Sequence, residues 1–337
     1  MNKVITETVN GKIYIAGEYA VLFNNPAIIF PIDKKVTVKV SLNNENILYS
    51  HKYHSDFVKL NLFDEDKEVI YINKTIEWIN QYLHLLNKTI NKYKLEIISE
   101  LDNNKNIKYG YGSSGAIIVA LLKAILKINN INYDQMMLFK MAVLIQSSIS
   151  KNTSYGDIAC IVFNEKIYYK KFRINLETLK SKNIIDQLNT DWIGLIIKPI
   201  YMDINFLIVH TNHESKSYDL ASRVINFKEH TFFKDFIKTS NKLVHNLIED
   251  FNIRDIDNLH NNFLFLEQNT GVTLITEQME HIRMIVNSFN GVMKFSGAGG
   301  GDMVVCFFKN NHSLLESKKE LEIKGFECMV YGGIYES

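Results

Sequence analysis

The 337-residue chain has only three prolines, three cysteines and two tryptophans. Cys160, Cys306 and Cys328 stand far apart. They give neither a disulfide framework nor the paired spacing of a zinc site, and they fit a reducing, cytoplasmic setting. Charge of one sign is also lacking: 38 Lys and Arg face 37 Asp and Glu, for a formal net charge of +1. With no global field to gather a polyanion, no nucleic-acid partner is expected, and any phosphate must be handled locally. The longest apolar run, residues 116–122, stops at Lys123 and is too short to cross a bilayer, so no membrane partner is expected. Residues 1–8 lack the apolar stretch of a secretion signal. Fixed-period repeats and low-complexity segments are missing as well. The scarcity of proline, beside abundant Asn, Lys and Ile, reflects base composition rather than function.

What is present is an ordinary globular composition, 46% hydrophobic, at a length that favours two domains. Against it stand three glycine-bearing segments: Gly11-Lys12-Ile13-Tyr14-Ile15-Ala16-Gly17-Glu18-Tyr19, Gly110-Tyr111-Gly112-Ser113-Ser114-Gly115-Ala116, and Ser296-Gly297-Ala298-Gly299-Gly300-Gly301-Asp302. In the second, the glycines permit a tight loop and Ser113 and Ser114 start a long apolar helix. The N–H groups and partial positive charge at such a terminus suit an anion. The two hydroxyls suit phosphate oxygens or Mg²⁺. A plain serine cap after a turn is the other reading. No Gly-Lys-Ser/Thr ends the loop, so it is not a P-loop, and its glycine spacing is not that of a dinucleotide fold. The third segment removes side chains where a backbone approaches a ligand, or is merely a loose connection between strands.

Elsewhere the patterns predict strands at 4–9, 12–16, 36–41 and 95–99, a helix over 75–86, a buried helix over 113–128 and another over 133–148. Residues 158–163 and 166–169 read as paired strands around Asn164-Glu165. Residues 189–199 read as a domain junction. Beyond it come a strand at 206–209, helices at 217–227, 231–250, 256–269 and 275–288, then strand, glycine loop, strand, helix, strand to residue 331. Strands mixed with helices in runs favour α+β. Asp157, in Ser154-Tyr155-Gly156-Asp157, is a turn acid or a carboxylate that holds a lysine or an acceptor. Lys12, Glu18, Lys151, Lys198, Arg223 and Lys294 read by default as solvated surface residues. His210 and His213 do not share a face and form no metal site.

Taken together, the three segments, Lys108-Tyr109 before the second, residues 154–160, Asp191-Trp192 and Lys198-Pro199 resemble the GHMP kinase superfamily over nearly the whole chain. Tyr19 after Gly17-Glu18, and Gln146 where mevalonate kinases carry a Mg²⁺-binding Glu, point to the branch that phosphorylates phosphomevalonate. Tyr111 departs from the family's usual Leu, and residues 148–153 lack its glycine-rich stretch.

The resemblance implies a ribosomal-protein-S5-like N-terminal domain (1–190) and a ferredoxin-like C-terminal domain (191–337), with ATP and Mg²⁺ between them. It assigns catalysis to Lys12 and Asp157. ATP phosphates go to Lys108, Gly110, Gly112, Ser113, Ser114, Gly115 and Ala116, and the metal to Ser114. The acceptor falls to Lys12, Ser154, Ser217, Ser296, Gly297 and Ala298. Monomer and homodimer are both compatible with it. The competing expectations are mevalonate kinase or another small-molecule GHMP kinase, a non-catalytic binding protein of the same fold, a nucleic-acid binder of S5-like fold, and a diphosphomevalonate decarboxylase.

Overall fold

The computed structural model describes residues 3–51, 56–66, 69–102, 109–151, 153–213 and 217–332. Strands β1 (Val4–Ala16) and β2 (Pro26–Asn43) form a long antiparallel pair. In β2, Val36, Val38 and Val40 are buried while Thr37, Lys39 and Ser41 are part-exposed, the period-2 pattern of a strand with one covered face. The expected break between residues 9 and 12 is instead a register shift at Asn10/Gly11 inside one continuous β1. On the other edge of β2, β5 (Lys92–Ser99) takes its C-terminal half and β6 (Ile167–Lys170) its N-terminal end. Short β3 (Ile47–Ser50) and β4 (Val58–Lys59) extend the sheet beyond β5, and β7 (Ile196–Pro199) extends it beyond β6.

Helices α1 (Ile70–Leu85), α2 (Ser113–Ile128), α3 (Gln135–Ile149) and α4 (Gly156–Phe163) cover one face. Eleven residues of α2 are buried. Its apolar character all round is what a helix needs between a sheet and three other helices. Residues 158–163, expected as a strand, belong to α4. Six successive apolar residues carry no period that separates helix from strand, and contacts on every side let either form bury them. Two short helices, α5 (Leu176–Lys180) and α6 (Ile184–Asn189), follow.

The second sheet holds β8 (Phe206–His210), β9 (Val292–Phe295), β10 (Met303–Phe307) and β11 (Glu327–Tyr331), in the antiparallel order β11-β8-β10-β9. Helices α7 (Ser217–Ile225), α8 (Thr231–Glu249), α9 (Ile253–Thr270) and α10 (Glu277–Ser288) lie between β8 and β9, and α11 (Asn311–Ile323) lies between β10 and β11. With strand order fourth, first, third, second, this is the βαββαβ arrangement expected of a ferredoxin-like unit, enlarged by extra helices. The halves are packed together. Phe206 stacks on Tyr331 at 4.5 Å and both meet Phe30 of β2. Phe233 of α8 meets Phe23 edge-on at 5.0 Å. Among the described residues no helix is long and apolar enough to cross a membrane.

Candidate active site

The site begins with β1. Alternation puts Lys12 and Tyr14 on one face of the strand. A Cβ on Gly11 would stand 3.0 Å from the carbonyl oxygen of Tyr111, so a side chain there would crowd the second segment, which lies close against this glycine. The Lys12 N–H donates to that carbonyl at 3.0 Å, and its Nζ donates to the carbonyl of Gly110 at 2.9 Å. Lys12 is only 6% exposed, which corrects its reading as a solvated edge residue. Burial lowers its pKa, and the carboxylates of Asp157 and Asp302 oppose that shift.

Gly112 caps α2 with φ of 83°, a left-handed conformation that glycine adopts without strain, and no side chain caps the helix. The first-turn N–H groups are thereby left for a ligand. Ser113 and Ser114 are half-buried beside them, and Ala116 is fully buried. Asp157 stands in the first turn of α4, whose cap is likewise not a side chain. Its Oδ2 would be 3.3 Å from a Cβ on Gly115, and its Oδ1 is buried with no hydrogen-bond partner. Two uncapped helix starts, an ammonium and a carboxylate therefore converge.

Ser154 Oγ lies 2.8 Å from Tyr14 Oη, and its carbonyl accepts from Tyr169 Oη at 2.7 Å. Nearby, Lys171 Nζ donates to the carbonyl of Thr153 at 2.7 Å and lies over the Tyr155 ring, and burial pushes its pKa down to about 8. Lys151 is exposed.

The third segment closes the site from the other half. Lys294 is fully buried and pairs with Glu18 Oε1 at 2.5 Å, so both earlier surface readings are corrected. Ser296 Oγ accepts the Tyr14 N–H at 2.9 Å, which leaves its own proton to give. Tyr19 Oη donates to the carbonyl of Ala298. Gly297 has φ of 97° and nothing within 4 Å of where a Cβ would be, so its backbone faces open space. Tyr19 and Tyr155 hold positive φ, 59° and 61°. Side chains of this bulk adopt that conformation only under constraint from their surroundings.

Of the expected residues, Lys12, Gly110, Gly112, Ser113, Ser114, Gly115, Ala116 and Asp157 come together, and Tyr14 and Tyr19 tie Ser154, Ser296, Gly297 and Ala298 to them. Lys108 lies outside the described residues. Ser217 opens α7, but its side chain also lies outside them. Sequence reasoning missed Tyr14, which the alternation of β1 pairs with Lys12. It also missed Asp302, whose carboxylate reaches the Gly110 backbone, where a Cβ would meet Oδ2 at 2.9 Å.

Residues 71–165 match the family model described as the GHMP kinases N terminal domain. The chain thus carries a GHMP kinase N-terminal domain within a GHMP kinase fold. Among particular proteins, it is similar to phosphomevalonate kinase of Streptomyces sp. (strain CL190), at 21% identity over 332 residues covering 89% of this chain and 88% of that one. The structure of Streptococcus pneumoniae phosphomevalonate kinase in complex with phosphomevalonate and AMPPNP matches with a TM-score of 0.83 at 23% identity, over 97% of this chain and 100% of the other. Mevalonate kinase of Saccharolobus solfataricus (strain ATCC 35092 / DSM 1617 / JCM 11322 / P2) is 25% identical over 158 residues, 47% of this chain and 49% of that protein.

Proposed function

We propose that the chain is a phosphomevalonate kinase, moving the γ-phosphoryl of ATP onto the phosphate of (R)-5-phosphomevalonate to give 5-diphosphomevalonate and ADP. One observation carries this reading. The buried Lys12 ammonium is held by a neutral carbonyl of the loop that opens α2, with the Asp157 carboxylate in the adjacent first turn. A cation so placed can leave a weak partner for a phosphoryl oxygen at little cost. The resemblance to the two phosphomevalonate kinases supports the acceptor.

The chemistry follows from charge. A phosphate acceptor is already ionised near neutral pH, so its oxygen attacks without a strong base. The obstacle is repulsion: unit charges ~4 Å apart at an effective dielectric of 20 interact by about 4 kcal/mol. Positioning and electrostatics must therefore supply most of the acceleration. Lys12 spans donor and acceptor. The N–H groups opening α2, with the Ser113 hydroxyl and Lys108, hold the ATP phosphates. Asp157 keeps Lys12 oriented and takes a proton from any monoprotonated acceptor. Ser154, Ser217, the free proton of Ser296 and the backbone of Gly297 and Ala298 hold the acceptor.

The residues fit a magnesium ion: the partnerless Asp157 Oδ1 and the Ser114 hydroxyl are hard oxygen donors at the helix start. When bound, the ion would neutralise phosphate charge. Among the described residues no cluster of three His, Cys, Asp or Glu forms a metal cage. Mg²⁺ carried mainly by nucleotide phosphates needs none.

The test is to offer MgATP with mevalonate or phosphomevalonate separately and to measure ADP release. Faster turnover of mevalonate overturns the acceptor, and no release with either overturns the kinase.

A further inference from the structure

Tyr109 and Tyr111 flank Gly110 at the entrance to α2, and both side chains reach the second sheet. Tyr111 Oη lies 2.9 Å from Nε2 of His210. Tyr109 Oη donates to the Glu327 carboxylate, 2.7 Å from each oxygen. The His210 ring packs against both, with its centroid 4.0 Å from that of Tyr109 and, edge to face, 5.3 Å from that of Tyr111. His210 ends β8, in register with Met303 of β10 and Glu327 of β11, so three strands fix the point where the tyrosines attach. Gly110 between them has no room to drift: a Cβ there would meet Asp302 Oδ2 at 2.9 Å and Met303 Cε at 3.1 Å. Tyr111 and His210 are both buried. Their hydrogen bond is therefore shielded from competing water.

We propose that Tyr111 and His210 are positioning residues: their bond transmits the location of the second sheet to the loop that opens α2, and so sets how that helix's N–H groups meet a nucleotide phosphate. Tyr109 with Glu327 is a parallel tether. The inference rests on the reading of this loop as the nucleotide-phosphate cradle. Ring packing alone would hold the loop near the sheet, and the hydroxyl adds direction. A tie that served stability alone would change unfolding and leave nucleotide affinity untouched.

The experiment titrates the full chain, Tyr111→Phe, His210→Leu and His210→Gln with AMPPNP and Mg²⁺ by calorimetry, beside Tm and steady-state KM for each substrate. Tyr111→Phe and His210→Leu should each weaken AMPPNP binding about 3- to 10-fold, the range for one lost hydrogen bond. KM for ATP should rise in proportion and the acceptor KM should not change. His210→Gln, whose amide reaches the same hydroxyl, should restore binding. Unaltered affinity in Tyr111→Phe, with normal binding by the unmodified chain, overturns the inference and leaves the cradle intact. No binding by the unmodified chain overturns both. Should Tyr111→Phe fail to fold, Tyr109→Phe carries the same test by removing the donor to Glu327.

Discussion

The Lys12 ammonium donates to the carbonyl oxygen of Gly110, so the first glycine segment grips the mouth of the second before any ligand arrives. That bond joins residues 98 positions apart. It makes Lys12 the residue whose loss should separate catalysis from folding. Lys12→Met should lower kcat by about 10²- to 10³-fold, the scale for removing one preorganised electrostatic group. Its circular dichroism should match the parent. Full turnover in Lys12→Met would remove Lys12 from the mechanism.

The same lysine should write a pH dependence. Burial lowers its pKa below the ordinary 10.5, and the charged form is the working one. kcat/KM for ATP should therefore decline on the alkaline side with a midpoint under 10.5. Bound phosphates restore the charge, so kcat should hold to higher pH than kcat/KM. A kcat/KM profile flat to pH 10.5 would contradict this.

Asp157→Asn discriminates between acceptors. With a phosphate acceptor the loss in kcat should stay below the 10²- to 10⁴-fold that general-base catalysis supplies, roughly tenfold. A collapse of 10⁴-fold or more would indicate that an alcohol is being deprotonated. Single-turnover rates with phosphomevalonate settle the point.

Glu18 and Lys294 form a buried pair; Lys294 Nζ also donates weakly to the Tyr14 carbonyl at 3.4 Å, and Glu18 Oε2 has no hydrogen-bond partner. Glu18→Gln or Lys294→Met alone should cost about 3–5 kcal/mol, because one charge is stranded. Glu18→Leu combined with Lys294→Met should recover most of that in urea unfolding. Additive losses in the double variant would disprove the coupling.

Two glycines should respond for different reasons. A Cβ on Gly156 would meet Tyr14 Oη at 2.4 Å and Ile29 Cδ1 at 2.6 Å, so Gly156→Ala should lower Tm. Gly297→Ala meets no atom. It should cost only about 1–3 kcal/mol of backbone strain, yet weaken the acceptor, read as a raised KM for phosphomevalonate.

Local pattern made much of this architecture legible. The alternation around Val36–Val40 carries its own period, the apolar run of α2 is too long for a strand, and both are found as expected. The run 158–163 is not, because a two-turn helix buried on all sides has no polar face to betray it. The glycine segments announced the loops, since a missing side chain is visible in a sequence. The burial of Lys12, Glu18 and Lys294 was not visible. A charged residue reads as solvated until its partner is known, and Glu18 and Lys294 are 276 positions apart. Tyr14 lay within reach of the alternation argument, whereas the meeting of Tyr111 with His210 required the packing of one sheet's loop on another's strand end.

Ser296 and Ala298, like Lys294, reach back to the first strand and its following turn. On the ribosome, β1 and its turn are made 276 to 282 residues before their partners. Until they arrive, the Glu18 carboxylate has no counter-charge and the Tyr14 amide no acceptor. A chain that stops short of Lys294 therefore never completes this side of the site.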